Sequence, residues 1–300
     1  MKSKRFIEKI IEAILFASAG MAVLAVCSIS VYMVIKGTPA FAEVGAREIL
    51  FNSKWAPTAS DSSYGIAYII LSSAVSTVIS VLIATVIGIL TSVFLSEIAG
   101  KRLGGLVKGA VELLAGIPSV IYGLIGMMVL NPLIFRLEKL LFANSTTHKF
   151  TGGANMLCAI IVLSVMVLPT VISVSTSSLN AASNDLRFAS YALGATKIQT
   201  IFKVVVPASR SGIITGVVLG IGRALGEAMA INMVAGGAVN IPLPFNSVRT
   251  LTTQIVSEMG YAGGMHRQVL FTVGLVLYIF IMVINLVITM LQKKGEKNNG

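Results

Sequence analysis

The chain has 300 residues, of which 55% are hydrophobic and 12% charged, with a formal net charge of +11. Soluble domains carry about 25% charged residues, so this composition excludes an ordinary soluble domain and points to a membrane. The positive balance does not require nucleic acid, because Lys and Arg of membrane proteins collect in cytoplasmic loops and at headgroups.

A helix crosses the hydrocarbon with about 20 apolar residues. Six stretches qualify: 13–35, a segment within 66–96, another within 113–135, then 156–179, 213–234 and 268–291. The chain opens with Lys2, Lys4, Arg5 and Lys9, and Ala17-Ser18-Ala19 resembles a signal cleavage site. The apolar run continues to Ile35, too long for a signal peptide, so residues 1–65 read as a retained anchor helix and a first external loop. Trp55 in that loop is either an interfacial anchor or a loop-packing residue.

Fourteen of the 23 Lys and Arg residues fall in segments on the side of the N-terminus, eight fall on the other side, and Arg223 lies inside a span. Both termini are therefore expected in the cytoplasm, with residues 292–300 as a cytoplasmic tail. The external loops, 36–64, 131–155 and 235–267, are too short to hold a large domain.

In the third span, Pro118 is expected to kink or break the helix, with Ser119 and Tyr122 offering hydroxyls near the freed backbone. A packing kink and a pathway-lining role both remain open there. Pro169 is expected to do the same in the fourth span. Cys27 and Cys158 lie in apolar spans and read as buried packing residues, while His148 and His266 stand alone and read as surface residues. No Cys/His cluster suggests a metal site.

The inside loop, 180–210, is polar and helically patterned: Leu186, Ala189, Ala192 and Leu193 share one face, and Ile198, Phe202 and Val205 share another. Gly194 can end the first of two short helices. They form either a docking surface for a cytoplasmic partner or a plain connecting hairpin.

The fifth span carries Arg223 and Glu227 one helical turn apart. A charge at bilayer depth costs about 2.5–3.5 kcal/mol on insertion scales and marks a pathway or a partner. The order Arg-then-Glu is the less favourable one for an isolated helix, so helix stability does not explain the pair. It is either a structural ion pair or a transport site in which the guanidinium fork meets an oxyanion and Glu227 holds the Arg rotamer. Gly212, Gly216 and Gly220 recur every four residues on one face, and Gly222 and Gly226 on another, as in close-packed membrane helices.

No GxxxxGK[ST] phosphate loop is present, so ATP-driven transport would need a separate ATPase chain, with ATP-Mg bound there and no cofactor on this one. The spans lack a nucleophile–base pair and metal ligands, which leaves an enzyme without its residues. A secondary transporter using Arg223 and Glu227 as a relay would carry inverted repeats, and the two halves do not match convincingly.

Phe188-Ala-Ser-Tyr-Ala-Leu-Gly194, followed nine residues on by Val204-Val-Val-Pro207, resembles the EAA loop of bacterial ABC-importer permeases. Ala189, Gly194 and Pro207 match by identity, Ser190 is a mild change, and Phe188 stands where the family usually has Glu, with Asp185 and Arg187 as nearby charges. Trp55-Ala-Pro57, Tyr64-Gly-Ile66, Leu114-Ala-Gly-Ile-Pro-Ser-Val-Ile-Tyr-Gly123 and Gly222-Arg-Ala-Leu-Gly-Glu-Ala-Met-Ala230 narrow the resemblance to phosphate-specific permeases of the PstC type. The resemblance implies an all-α, six-helix type I permease with its core at 66–291. It implies a sister permease as heterodimeric partner, two ATPase subunits on the loop, and an extracytoplasmic phosphate-binding protein. It also implies that Arg223 and Glu227 are transport-critical, in the inner membrane of a bacterium. Sulfate and molybdate remain alternative cargoes.

Overall fold

The computed structural model describes the backbone of residues 2–297 and the side chains of residues 8–287, 289 and 290. The basic residues Lys2, Lys4 and Arg5, and the side chains of the expected 292–300 tail, lie outside the described side chains. The chain is helical almost throughout. Five helices among the described residues are long and apolar enough to cross a membrane, or six if one bent pair counts as a single span.

The long first helix α1 (Lys2–Gly37) leads through a wide π-type turn (Phe41–Gly45) into the short α2 (Ala46–Phe51). A two-residue hairpin follows, β1 (Trp55–Ala56) antiparallel to β2 (Ser63–Tyr64), with Trp55 opposite Tyr64. The second span is α3 (Ala67–Val93), extended by a wide turn to Ile98. Its buried face is a row of Ser72, Ser73, Ser76, Thr77 and Ser80, small hydroxyl residues that let a neighbouring helix approach closely.

The third span departs from the expected 113–135. A continuous helix, α4 (Lys101–Gly116), precedes it, and the chain breaks at Ile117 and Pro118, both in extended conformation. It resumes as α5 (Ser119–Ile125), a wide turn (Gly126–Leu130) and α6 (Asn131–Leu141). Pro118 cannot donate to the Leu114 carbonyl, the bond that a continuing helix would require. The Tyr122 hydroxyl donates to that carbonyl instead, at 2.6 Å. The segment from Asn131 is thus helix and not the start of an external loop.

The fourth span, α7 (Met156–Ala181), continues through Pro169, so the chain does not break there. Asn155 caps its start by accepting the Cys158 N–H at 3.2 Å. This helix is the axis of the fold: α3 packs along one side of it, and α11 (Arg210–Gly226) along the other. Between them, the inside loop forms α8 (Asn184–Ala192), α9 (Lys197–Thr200), a wide turn (Ile201–Val205) and α10 (Val206–Ala208). The chain from Lys197 to Ala208 meets α11 at 68°.

Gly212, Gly216 and Gly220 face α7. A Cβ on Gly220 would lie 2.8 Å from Val167 Cγ1, and one on Gly216 3.2 Å from Val174 Cβ. At Gly212 it would overlap the Ser178 side chain. Gly222 and Gly226 differ: nothing lies within 4 Å of a Cβ at either, so they pack against no helix among the described residues.

After α11 the chain breaks again, resumes as α12 (Met229–Val234), and returns through α13 (Leu251–Glu258) to the last span, α14 (Gly264–Lys297). Helix α1 lies against α14 and is otherwise exposed. Cys27 on it is exposed, not buried; Cys158 is buried.

The core divides into layers along the helices. Tyr122, Met156, Leu163, Ile231 and Val234 fill one end. Val81, Ala84, Val167, Val171 and Ala224 fill the middle. Val93, Leu179, Ile201, Val205 and Ile213 join the inside loop to the other end.

Candidate functional site

The expected pairing of Arg223 and Glu227 within one helix does not form. Helix α11 ends at Gly226, and Glu227 is extended, with φ −74° and ψ 124°. Two features favour the break. The glycines at 220, 222 and 226 lower helix propensity across this turn. The Glu227 carboxylate then accepts the Ala230 N–H at 2.9 Å, so it caps the next helix. The Glu227 carbonyl takes the Thr252 hydroxyl at 2.7 Å, which ties the break to the start of α13.

Each charge is therefore held by a separate helix end. Arg223 sits in the last turn of α11, where the helix dipole favours a cation. Glu227 sits at the start of α12, where the dipole favours an anion. No salt bridge of 4 Å or less joins them among the described residues. The one hydrogen bond from the guanidinium is long, from Nη1 to Thr170 Oγ1 at 3.4 Å. Arg223 is half-buried, and its contact with Thr170 places it between α11 and α7. Ser119 stands half-buried at the start of α5. The open glycines 222 and 226 flank Arg223 on the uncovered side of α11.

The inside loop presents a surface. Gly194 has φ +80°, the left-handed conformation that terminates α8. Ser190 is buried and its hydroxyl meets Thr200 Oγ1 at 2.9 Å, which closes the hairpin between α8 and α9. Ala189 and Pro207 are exposed on the same hairpin. Around these, Phe188, Tyr191, Leu193 and Ile198 are exposed, Leu193 at 89%. A cluster of large apolar side chains outside the span region marks an interaction surface.

Arg187 is not available to that surface. Its Nη2 donates to Glu97 Oε1 at 2.6 Å and to the Leu179 carbonyl at 3.0 Å, and its Nη1 donates to the Ala182 carbonyl at 2.6 Å. Asp185 is exposed and is the remaining charge beside Phe188.

Two buried carboxylates escape sequence reasoning altogether. Glu258 takes the Trp55 indole N–H at 3.0 Å, Arg249 Nη1 at 2.5 Å and His266 Nε2 at 2.7 Å. Trp55 is thus a loop-packing residue, and His266 is buried, contrary to its expected place on the surface. Glu138, fully buried, meets His148 Nε2 at 2.8 Å and takes the Thr151 N–H at 3.0 Å. His148 also stacks on Phe142 at 3.9 Å, so it too is a packed residue. Trp55 is 203 residues from Glu258, and the other partners stand 8–13 residues from their carboxylate, at no helical or strand spacing, so no local pattern announces them. Among the described residues no group of three His, Cys, Asp or Glu side chains could hold a metal.

Helix breaks beside a half-buried cation, an exposed hairpin with an apolar face and a bundle of membrane-spanning helices are the features of a transport component. The chain belongs to the family of binding-protein-dependent transport system inner membrane components, whose sequence model matches residues 84–297. It is a multi-pass membrane protein with the type I ABC importer permease fold.

Among its relatives, the probable ABC transporter permease protein YqgH of Bacillus subtilis (strain 168) is 40% identical over 288 residues, covering 94% of this chain and 90% of the relative. The phosphate transport system permease protein PstC of Xylella fastidiosa (strain 9a5c) is 30% identical over 299 residues, covering 96% and 91%. In fold, the chain is similar to one in a bacterial alginate ABC transporter complexed with an alginate-bound periplasmic protein. The TM-score is 0.61 at 17% identity, over 93% of this chain and 92% of the other. A chain of the MetNI methionine ABC transporter in an inward-facing conformation gives 0.56 at 23% identity, over 75% and 93%.

Proposed function

We propose that this chain is the membrane-spanning permease subunit of an ATP-driven importer of inorganic phosphate. The observation that carries the reading is Arg223, a permanent cation held half-buried at a helix break with no ion-pair partner among the described residues. A guanidinium so placed is ready for an oxyanion. The names of the PstC relatives support phosphate as that oxyanion.

One chain supplies only one wall around Arg223, since the face with Gly222 and Gly226 is open. A sister permease completes the pathway in this reading. Two ATPase subunits, which carry the ATP-Mg, dock on the hairpin containing Phe188, Ala189, Ser190, Gly194 and Pro207. An extracytoplasmic phosphate-binding protein delivers the substrate. Residues 66–291 form the permease core, 180–210 the coupling loop, and both termini face the cytoplasm of a bacterial cell. No cofactor is assigned to this chain.

The test is uptake of labelled phosphate into vesicles holding the full transporter. Uptake should require ATP, the ATPase chains and the binding protein. Arg223→Gln should abolish it while the complex still assembles. Normal uptake by Arg223→Gln, or phosphate movement by this chain alone, would sink the reading. Uptake of sulfate or molybdate in place of phosphate would reassign the cargo.

A further inference from the structure

A cavity of about 500 Å³ opens between the start of α4 and the last turns of α7. Lys101 and Lys108 project from α4 on one side; Ser173, Thr176, Ser177 and Asn180 line the other. Two lysines, two serines and an asparagine thus line a space far larger than one water molecule occupies.

Lys108 lies 3.8 Å from Glu112, which also lines the cavity, but the two side chains are 71% and 66% exposed. Such an exposed pair is weak and readily exchanged for another anion.

The cavity is joined to Arg223 by one face of α7. Thr170, which accepts from Arg223, precedes Ser173 by three residues and Ser177 by seven. At about 100° and 1.5 Å per residue, these three hydroxyls fall on one side of the helix over about 10 Å. A line of hydroxyls therefore runs from the guanidinium to the lysines.

We propose that this cavity is a second oxyanion site, the one from which a tetrahedral anion such as inorganic phosphate leaves after passing Arg223. The proposal rests on the phosphate-import reading for the direction of travel, which places the cavity at the cytoplasmic end. Lysines suit release: they are mobile point charges without the guanidinium's bidentate fork. Sites along a pathway must hold an ion only weakly enough for it to move on. A phospholipid headgroup offers the same chemistry. The hydroxyl line from Arg223 favours the free anion, because a lipid would not need it.

The full transporter in vesicles of neutral phosphatidylcholine provides the test. Ser177→Cys is labelled by an uncharged water-soluble maleimide from the ATPase side, and modification of residue 177 is followed by mass spectrometry. Inorganic phosphate should slow labelling about tenfold when it occupies the cavity. The slowing should vanish in Lys101→Gln/Lys108→Gln, two exposed positions whose change leaves the fold intact. That double variant should also take up less phosphate per ATP hydrolysed, with binding-protein-stimulated hydrolysis retained.

Labelling indifferent to phosphate, or slowed equally without the lysines, would overturn the proposal. Slowing by added phosphatidylglycerol with no phosphate present would also overturn it, by assigning the cavity to lipid. Uptake by the parent complex is measured alongside. Its absence would sink the import reading, and the labelling result would then decide alone whether the cavity binds the anion.

Discussion

Glu227 has a local task that does not need its charge. Its carboxylate oxygen caps α12 through the Ala230 N–H, and an amide oxygen can accept the same bond. Glu227→Gln should therefore retain the break, while Glu227→Ala should lose about 1 kcal/mol of stability, the usual worth of such a cap. Thermal unfolding of the two variants in detergent checks this; equal destabilisation would mean that the charge itself matters. Glu258 is the opposite case. Three donors converge on its buried carboxylate, so Glu258→Ala should cost about 3–5 kcal/mol by stranding Arg249 without its counter-ion. A midpoint near that of the parent would contradict this. Sequence reading picked out Arg223 because a charge in an apolar run is visible in any window. Glu258 is not legible in this way, because Trp55 is 203 residues away and Arg249 and His266 reach it from outside α13 at no regular spacing.

At the scale of elements, the two glycine rows of α11 have separate meanings. A methyl at Gly220 runs into Val167, and one at Gly222 meets nothing in this chain. Gly220→Ala should destabilise the isolated subunit by about 1–3 kcal/mol through overpacking. Gly222→Ala should leave it as stable or stabilise it by up to about 1 kcal/mol, since Ala favours helix over Gly; unfolding midpoints of the two variants make the comparison, and equal values would refute the division. Spacing alone predicted both rows and could not tell them apart, since periodicity reports a face and not what covers it. The same limit explains α4. Its four charged residues, Lys101, Arg102, Lys108 and Glu112, hid a helix that hydropathy was not built to find. Pro118 and Pro169 show the converse. Both were legible as prolines, but only at Pro118 does the chain break, with Tyr122 taking the carbonyl that proline leaves free.

For the whole molecule, the arrangement of spans followed from hydropathy and the break at 117–118 from Pro118, while the break at 227–228 did not, because an apolar run crosses it. The exposed hairpin is where this chain would meet its ATPase. Leu193→Asp should weaken ATPase binding about tenfold or more, as loss of a central apolar anchor does. It should not disturb the subunit, because Leu193 is 89% exposed. Co-purification and stimulated ATP hydrolysis would read this, and an undiminished complex would remove Leu193 from the interface.

Arg187 gives that hairpin its mechanical character. Through one guanidinium it grips the carboxylate of Glu97 beyond α3, the terminal carbonyl of Leu179 in α7, and Ala182 at the approach to α8. The hairpin is consequently a crank bolted to two spans, not a flexible tether. Torque applied to α8 would turn the ends of α3 and α7 together, and one of those is the helix that carries Thr170 beneath Arg223.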